Sequence, residues 1–145
     1  MLNDEELAKK GFKAIEDFIT FRQKSVALVK RVFPEASQLQ TLFVKNAVND
    51  GFSNYLNIEP NIVAEFLAKY LDFHLKKSSG QAGISDENLI KIIDEVLILF
   101  RIVKAKDIFE EFYQRGLCRR LLLKKSASQD SEKMMVLKLK TECGD

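Results

Sequence analysis

The chain has 145 residues, 46% of them apolar and 30% charged, with a net charge of +2. That length suffices for one buried core or parts of two, and the composition is that of a folded chain, not a disordered one. The small net charge gives no argument for a polyanionic partner. Eleven Phe against two Pro and six Gly favour long packed helices over turn-rich sheets, because breakers are few and large apolar side chains many. The expected class is all-α, with about six helices.

The opening MLNDEELAKKG lacks the apolar run of a signal peptide, and no segment reaches the ~18 apolar residues of a membrane span. Cys118 and Cys143 have no CxxC spacing, so they indicate neither a metal site nor a disulfide framework. They read as reduced thiols, which places the expected location in the cytoplasm or nucleus. No cofactor, metal, nucleic acid or membrane partner is expected.

Ala8, Phe12, Ile15, Ile19, Arg22, Val26, Val29 and Phe33 recur at alternating spacings of four and three, the seam of a long helix. Asn3 or Asp4 is its expected cap and Pro34 its stop, since the residue before proline avoids the α region. Arg22 interrupts the stripe, with its stem packed and its head reaching water. A second helix spans Glu35 to about Leu56. Gly51 weakens its interior by ~1 kcal/mol, and close approach of a neighbouring backbone is one reason for a glycine there. A break at 57–61 precedes a third helix from about Ile62 to Lys77, which carries His74. A lone His without ligand-spaced partners gets no catalytic role.

Ser78 to Ser85 reads as a surface loop lacking the strand and Lys-Ser/Thr of a phosphate loop. Ser85 caps a fourth helix whose apolar residues, Leu89 to Val103, cover more than half its circumference, so other helices must enclose it. Asp107 is the expected cap of a fifth helix with Phe109, Phe112, Tyr113, Leu117 and Leu121 on one side. Arg115, Arg119, Arg120, Lys124 and Lys125 gather late in it. They offset the helix dipole and face solvent or nearby carboxylates, with no interleaved aromatic for base stacking. Ser128 caps the sixth helix, Met135, Leu137 and Leu139 give it apolar contacts, and Gly144 suits its end. The unfinished apolar pattern before Gly144 suggests a piece of a longer chain.

The run Phe100, Lys106-Asp107, Phe109, Phe112-Tyr113, Leu117, Arg120-Leu121-Leu122, Ser126-Ala127-Ser128, Asp130, Glu132-Lys133-Met134, Lys138-Leu139-Lys140, Glu142-Cys143-Gly144 resembles the cullin family. So many matches in fixed register do not arise from periodicity. The resemblance continues upstream through residues 64–72 and 75–78 and is faint before residue 62. The Leu-Phe-Arg and Lys-Ser-Ala-Ser wording is similar to the cullin-four subfamily. Cys118 and Arg119 stand where the family usually has Ala and Lys. Gly116 stands where a better helix former is usual, an expected loosening of up to ~1 kcal/mol.

The resemblance implies an antiparallel helical bundle of the cullin-repeat type. It further implies a division into 1–104, the last repeat of an N-terminal stalk, and 105–145, the first helices of a truncated four-helix bundle. It implies a non-catalytic scaffold of a multisubunit ubiquitin ligase that holds a substrate adaptor and a RING subunit through regions outside this stretch. Truncation of that bundle leaves Phe109, Phe112, Tyr113, Leu117, Leu121 and Met135 as expected inter-domain or self-association packing residues. The alternative is an unrelated helical-repeat interaction module, which periodicity alone does not exclude. An enzyme is opposed by the single His, the absence of paired carboxylates in a plausible pocket and the absence of a Gly-rich loop.

Overall fold

The computed structural model describes residues 4–35, 37–77 and 85–144. Among them the chain forms six helices: α1 Asp4–Val32, α2 Gln38–Leu56, α3 Pro60–Leu75, α4 Asp86–Ile102, α5 Lys106–Leu122 and α6 Gln129–Cys143. The expected cap Asn3 and most of the expected loop, residues 78–84, lie outside the described residues.

Local chemistry sets most of the helix ends. Ser37 and Gln40 form a reciprocal capping box at the start of α2, which satisfies two backbone donors that the first turn leaves orphaned. Pro60 opens α3 at its first turn, where its missing N–H costs nothing; the helix therefore begins two residues before the expected Ile62. Ser85 and Ser128 cap α4 and α6 through their hydroxyls, as expected. Asp107 does not cap α5: Ala105 holds that position without a side-chain bond, and Asp107 sits in the first turn, where a carboxylate still complements the N-terminal dipole. Gly144 closes α6 in the left-handed conformation, φ +83°, which glycine adopts without a Cβ penalty.

The helices pair as three hairpins stacked in two layers. Within the first, Phe18 meets Tyr55 and Phe52 while Arg22 reaches Asn49, so α1 and α2 run antiparallel. Between hairpins the contacts climb in the same direction. Lys69 lies over the Phe112 ring, Asp72 binds Arg120, and the Leu75 carbonyl accepts from the N–H of Ala127, so α5 runs parallel to α3. Asp94 pairs with Lys138 and Arg101 with Glu142, so α6 runs parallel to α4. One layer is α1, α3 and α5, the other α2, α4 and α6, and α3 and α4 each touch three neighbours.

The core follows from that placement. Leu67, Leu71 and Leu75 of α3 join Leu89, Ile93, Val96 and Phe100 of α4, all nearly inaccessible. Enclosure of α4 is as its apolar circumference requires. The same core continues through Val103, Ala105, Phe109, Tyr113 and Met135. The core runs across the expected division between 104 and 105: Val103 and Ala105, on either side of exposed Lys104, are buried. Asn57 helps hold this turn. Its amide donates to the Ile102 carbonyl at 2.9 Å and accepts from the Lys104 N–H at 2.8 Å, satisfying backbone groups that the end of α4 leaves open.

Two glycines behave oppositely. A Cβ on Gly11 would run into the ring of Phe66, whereas one on Gly51 would meet nothing within 4 Å. Close approach thus explains Gly11 and not Gly51. Substitution Gly51→Ala is expected to stabilise the chain by about 0.5–1 kcal/mol through reduced backbone entropy, while Gly11→Ala is expected to destabilise it. Thermal unfolding of both variants decides this, and a loss of stability in Gly51→Ala would contradict it.

Candidate functional site

The most demanding chemistry lies where α3, α5 and α6 meet. Arg120 is only 2% exposed. Its Nε donates to Glu132 Oε1 at 2.6 Å and its Nη2 to Glu132 Oε2 at 2.8 Å, the planar fork geometry that guanidinium and carboxylate share. Its Nη1 binds Asp72 of α3, and Ser126 donates to Glu132 Oε1 at 3.0 Å. Burial disfavours the charge on Arg120, but the bonds to Glu132 and Asp72 outweigh it and raise its pKa above the ordinary value. Gly116 makes room: a Cβ there would lie 2.5 Å from Asp72 Oδ1 and 3.1 Å from Arg120 Nη1. The glycine that looked like a weakness in α5 is the clearance through which the ion pair forms.

Backbone bonds close the joint. Lys76 and Ser126 form an isolated antiparallel bridge, with Lys77 N–H donating to the Lys125 carbonyl at 2.7 Å and Ala127 N–H to the Leu75 carbonyl at 2.8 Å. The chain turns into this bridge through Lys124, whose φ of 52° is the one positive value among the described non-glycine residues.

The expected packing residues divide. Phe109, Tyr113 and Met135 are core residues of this chain, 0–2% exposed, with α5 covered by α3 and α6 by α4. Phe112 and Leu117 are half-buried and Leu121 is exposed. Leu117 and Leu121 do line a surface groove, with Val136 and Leu137 of α6. The Tyr113 hydroxyl is buried with no hydrogen-bond partner, and burial first, then Glu132, pushes its pKa well up.

The expected solvent-facing basic cluster also divides, since Arg120 belongs to the joint while Arg115, Arg119, Lys124 and Lys125 are exposed. Arg22 is half-buried, reaching Asn49 at 3.3 Å and Glu95 at 3.5 Å. His74 packs edge-on to Tyr70 and Phe73, and both its ring nitrogens are buried without partners. Burial lowers its pKa below the ordinary 6.5, against a smaller opposing pull from Glu16. Among the described residues no three His, Cys, Asp or Glu side chains gather as a metal site, and neither cysteine forms a disulfide.

Two outcomes follow from this geometry. Removing Arg120 strands a buried carboxylate, so Arg120→Met is expected to cost about 3–5 kcal/mol in urea unfolding, and the double variant with Glu132→Met distinctly less; equal losses would deny the coupling. For His74, the unfolded chain takes up its proton at about pH 6.5 while the folded chain resists, so stability falls as pH drops below that value. His74→Leu is expected to flatten the dependence between about pH 7 and pH 5, and an unchanged slope in chemical denaturation would refute it.

The geometry of stacked hairpins agrees with the chain's relatives. The family profile Cullin, the Cullin alpha solenoid domain, matches residues 2–145. Mouse Cullin-4A is 40% identical over 130 residues, which cover 90% of this chain and 16% of that protein. Cullin-4 of Dictyostelium discoideum is 38% identical over 144 residues, 99% of this chain and 17% of that protein. Cullin-3 of the same organism is 34% identical over 141 residues, 97% of this chain and 17% of that protein. The chain thus spans about a sixth of the length of these relatives. Its three stacked hairpins are a stretch of alpha solenoid, and the chain belongs to the cullin family.

Proposed function

We propose that this chain is a section of the non-catalytic scaffold of a multisubunit ubiquitin ligase, in which a substrate adaptor and a RING subunit bind elsewhere on the parent protein. The observation that carries this reading is the unbroken core through three hairpins, with Arg120 locking the second to the third. Such a rod contributes to ubiquitin transfer by orientation: it sets the distance and angle between substrate and the charged E2, and supplies no acid, base or nucleophile. A cytoplasmic or nuclear location suits two cysteines, Cys118 and Cys143, that are not paired with each other.

The test uses the full-length parent. A RING subunit and an adaptor are expected to co-purify with it, and absence of both would sink the reading. In the reconstituted assembly, Arg120→Met is expected to leave both subunits bound while slowing transfer to substrate by about tenfold or more, since small misplacements are costly in positioned reactions. An unchanged transfer rate would show that rigidity at this joint is not what the scaffold provides.

A further inference from the structure

His74 is a titratable group that a scaffold role leaves unused. Its ring lies 4.6 Å from that of Tyr70 at 74°, and 5.3 Å from that of Phe73 at 81°. Phe12 of α1 packs on both of those rings, at 5.9 and 5.5 Å. The four rings form one cluster across the contact between α1 and α3, and Ile15, 3% exposed, lies one turn of α1 beyond Phe12. A neutral imidazole suits such a place, since it carries only one N–H and much apolar carbon. A protonated one carries two N–H donors, and both nitrogens are buried here without an acceptor. Charge at this position gives up its hydration and receives in return only a weak attraction to the surrounding rings.

The neighbouring titratable groups offer little relief. From α1 the ring is faced by Glu16, which is exposed to water, so its pull is screened. On its own helix the hydroxyl of Tyr70, pushed up to about 12 by burial and then by Glu16, stays neutral. No other charged group among the described residues bears on the titration of His74. The later half of α1 is held independently, because Arg22 and Gln23 reach Glu95 of α4. We propose that His74 is a proton-operated latch: neutral, it lets residues 4–19 of α1 lie against α3, and protonated, it drives them off while the rest of α1 stays tethered at Glu95. Opening bares Phe12 and Ile15 and gives the imidazolium the water it lacks when closed. The latch belongs to these helices alone and does not depend on the scaffold role.

Amide hydrogen exchange of the 145-residue chain at about pH 7.5 and about pH 5.5, with each rate corrected for intrinsic pH dependence, reads the latch. In the open form a histidine of ordinary pKa 6.5 is protonated about ten to one at the lower pH, which caps the effect. Protection of residues 8–19 is expected to fall several-fold, by no more than about tenfold, while that of residues 109–120 in α5 stays constant. An equal fall in both segments would overturn the proposal by showing a general loosening in acid, and so would unchanged protection of α1. His74→Leu and His74→Gln, neither of which can gain a proton, are expected to hold α1 protection constant between the two pH values. A fall that survives in either variant would assign the effect to another group and overturn the proposal. Glu16→Gln removes the opposing pull and is expected to enlarge the fall. If Glu16 instead swings in to accept from the imidazolium, acid would raise α1 protection and Glu16→Gln would abolish the rise, which overturns the latch.

Discussion

An arginine cannot shed its proton inside a protein, so a buried guanidinium dictates its own surroundings. Arg120 is that constraint here. Its three inward nitrogens must each find an acceptor, and the two carboxylates that provide them come from different helices, Asp72 of α3 and Glu132 of α6. Much else follows from satisfying it. Residue 116 has to be small so that the groups can meet. Ser126 has to turn inward to complete the shell of Glu132. The chain has to reverse sharply between Arg120 and Glu132, twelve residues apart, which brings Lys124 into the left-handed region. A purely apolar contact of the same volume would pack as well but would accept several rotations of α6; the fork accepts one.

The hairpins on either side are held differently. Between the second and third, ion pairs, an antiparallel bridge and a shared apolar core act together. Between the first and second, Phe12 packs against Tyr70 and Phe73, Gly11 lies under Phe66, Arg22 and Gln23 reach Glu95, and Asn57 holds the end of α4. The far end of the first hairpin keeps little cover, with Leu28, Val32, Phe33, Leu39, Leu42 and Phe43 all more than half exposed. In an array whose units touch only their neighbours, the strength of each interface is a separate quantity, and here the two interfaces are built from different materials.

The helices were legible because their signals are local. Spacing, serine caps and proline stops depend on a few neighbouring residues, and the helix starts or stops that relied on Ser85, Ser128, Pro34 and the final glycine follow them. The joint was not legible for the same reason. Arg120 was grouped by charge with Arg119, Lys124 and Lys125, yet Phe109, Tyr113, Gly116 and Arg120 recur at four, three and four and are the buried residues of α5. That stripe placed the arginine on the inward face, while Leu117 and Leu121 belong to the neighbouring one. Its partners could not be found this way, since Asp72 lies 48 residues away and nothing local marks it. Motif register identified the family, whereas the packing of 105–144 required three dimensions: an apolar face on α5 looks the same whether a later helix or α3 covers it.

In mechanical terms the Arg120 joint acts as a lock against twisting. A bidentate fork resists torsion, since rotating one helix about its axis separates at least one of the two parallel bonds between Arg120 and Glu132. The fork and the Asp72 contact therefore tie α3, α5 and α6 together as one torsionally stiff unit.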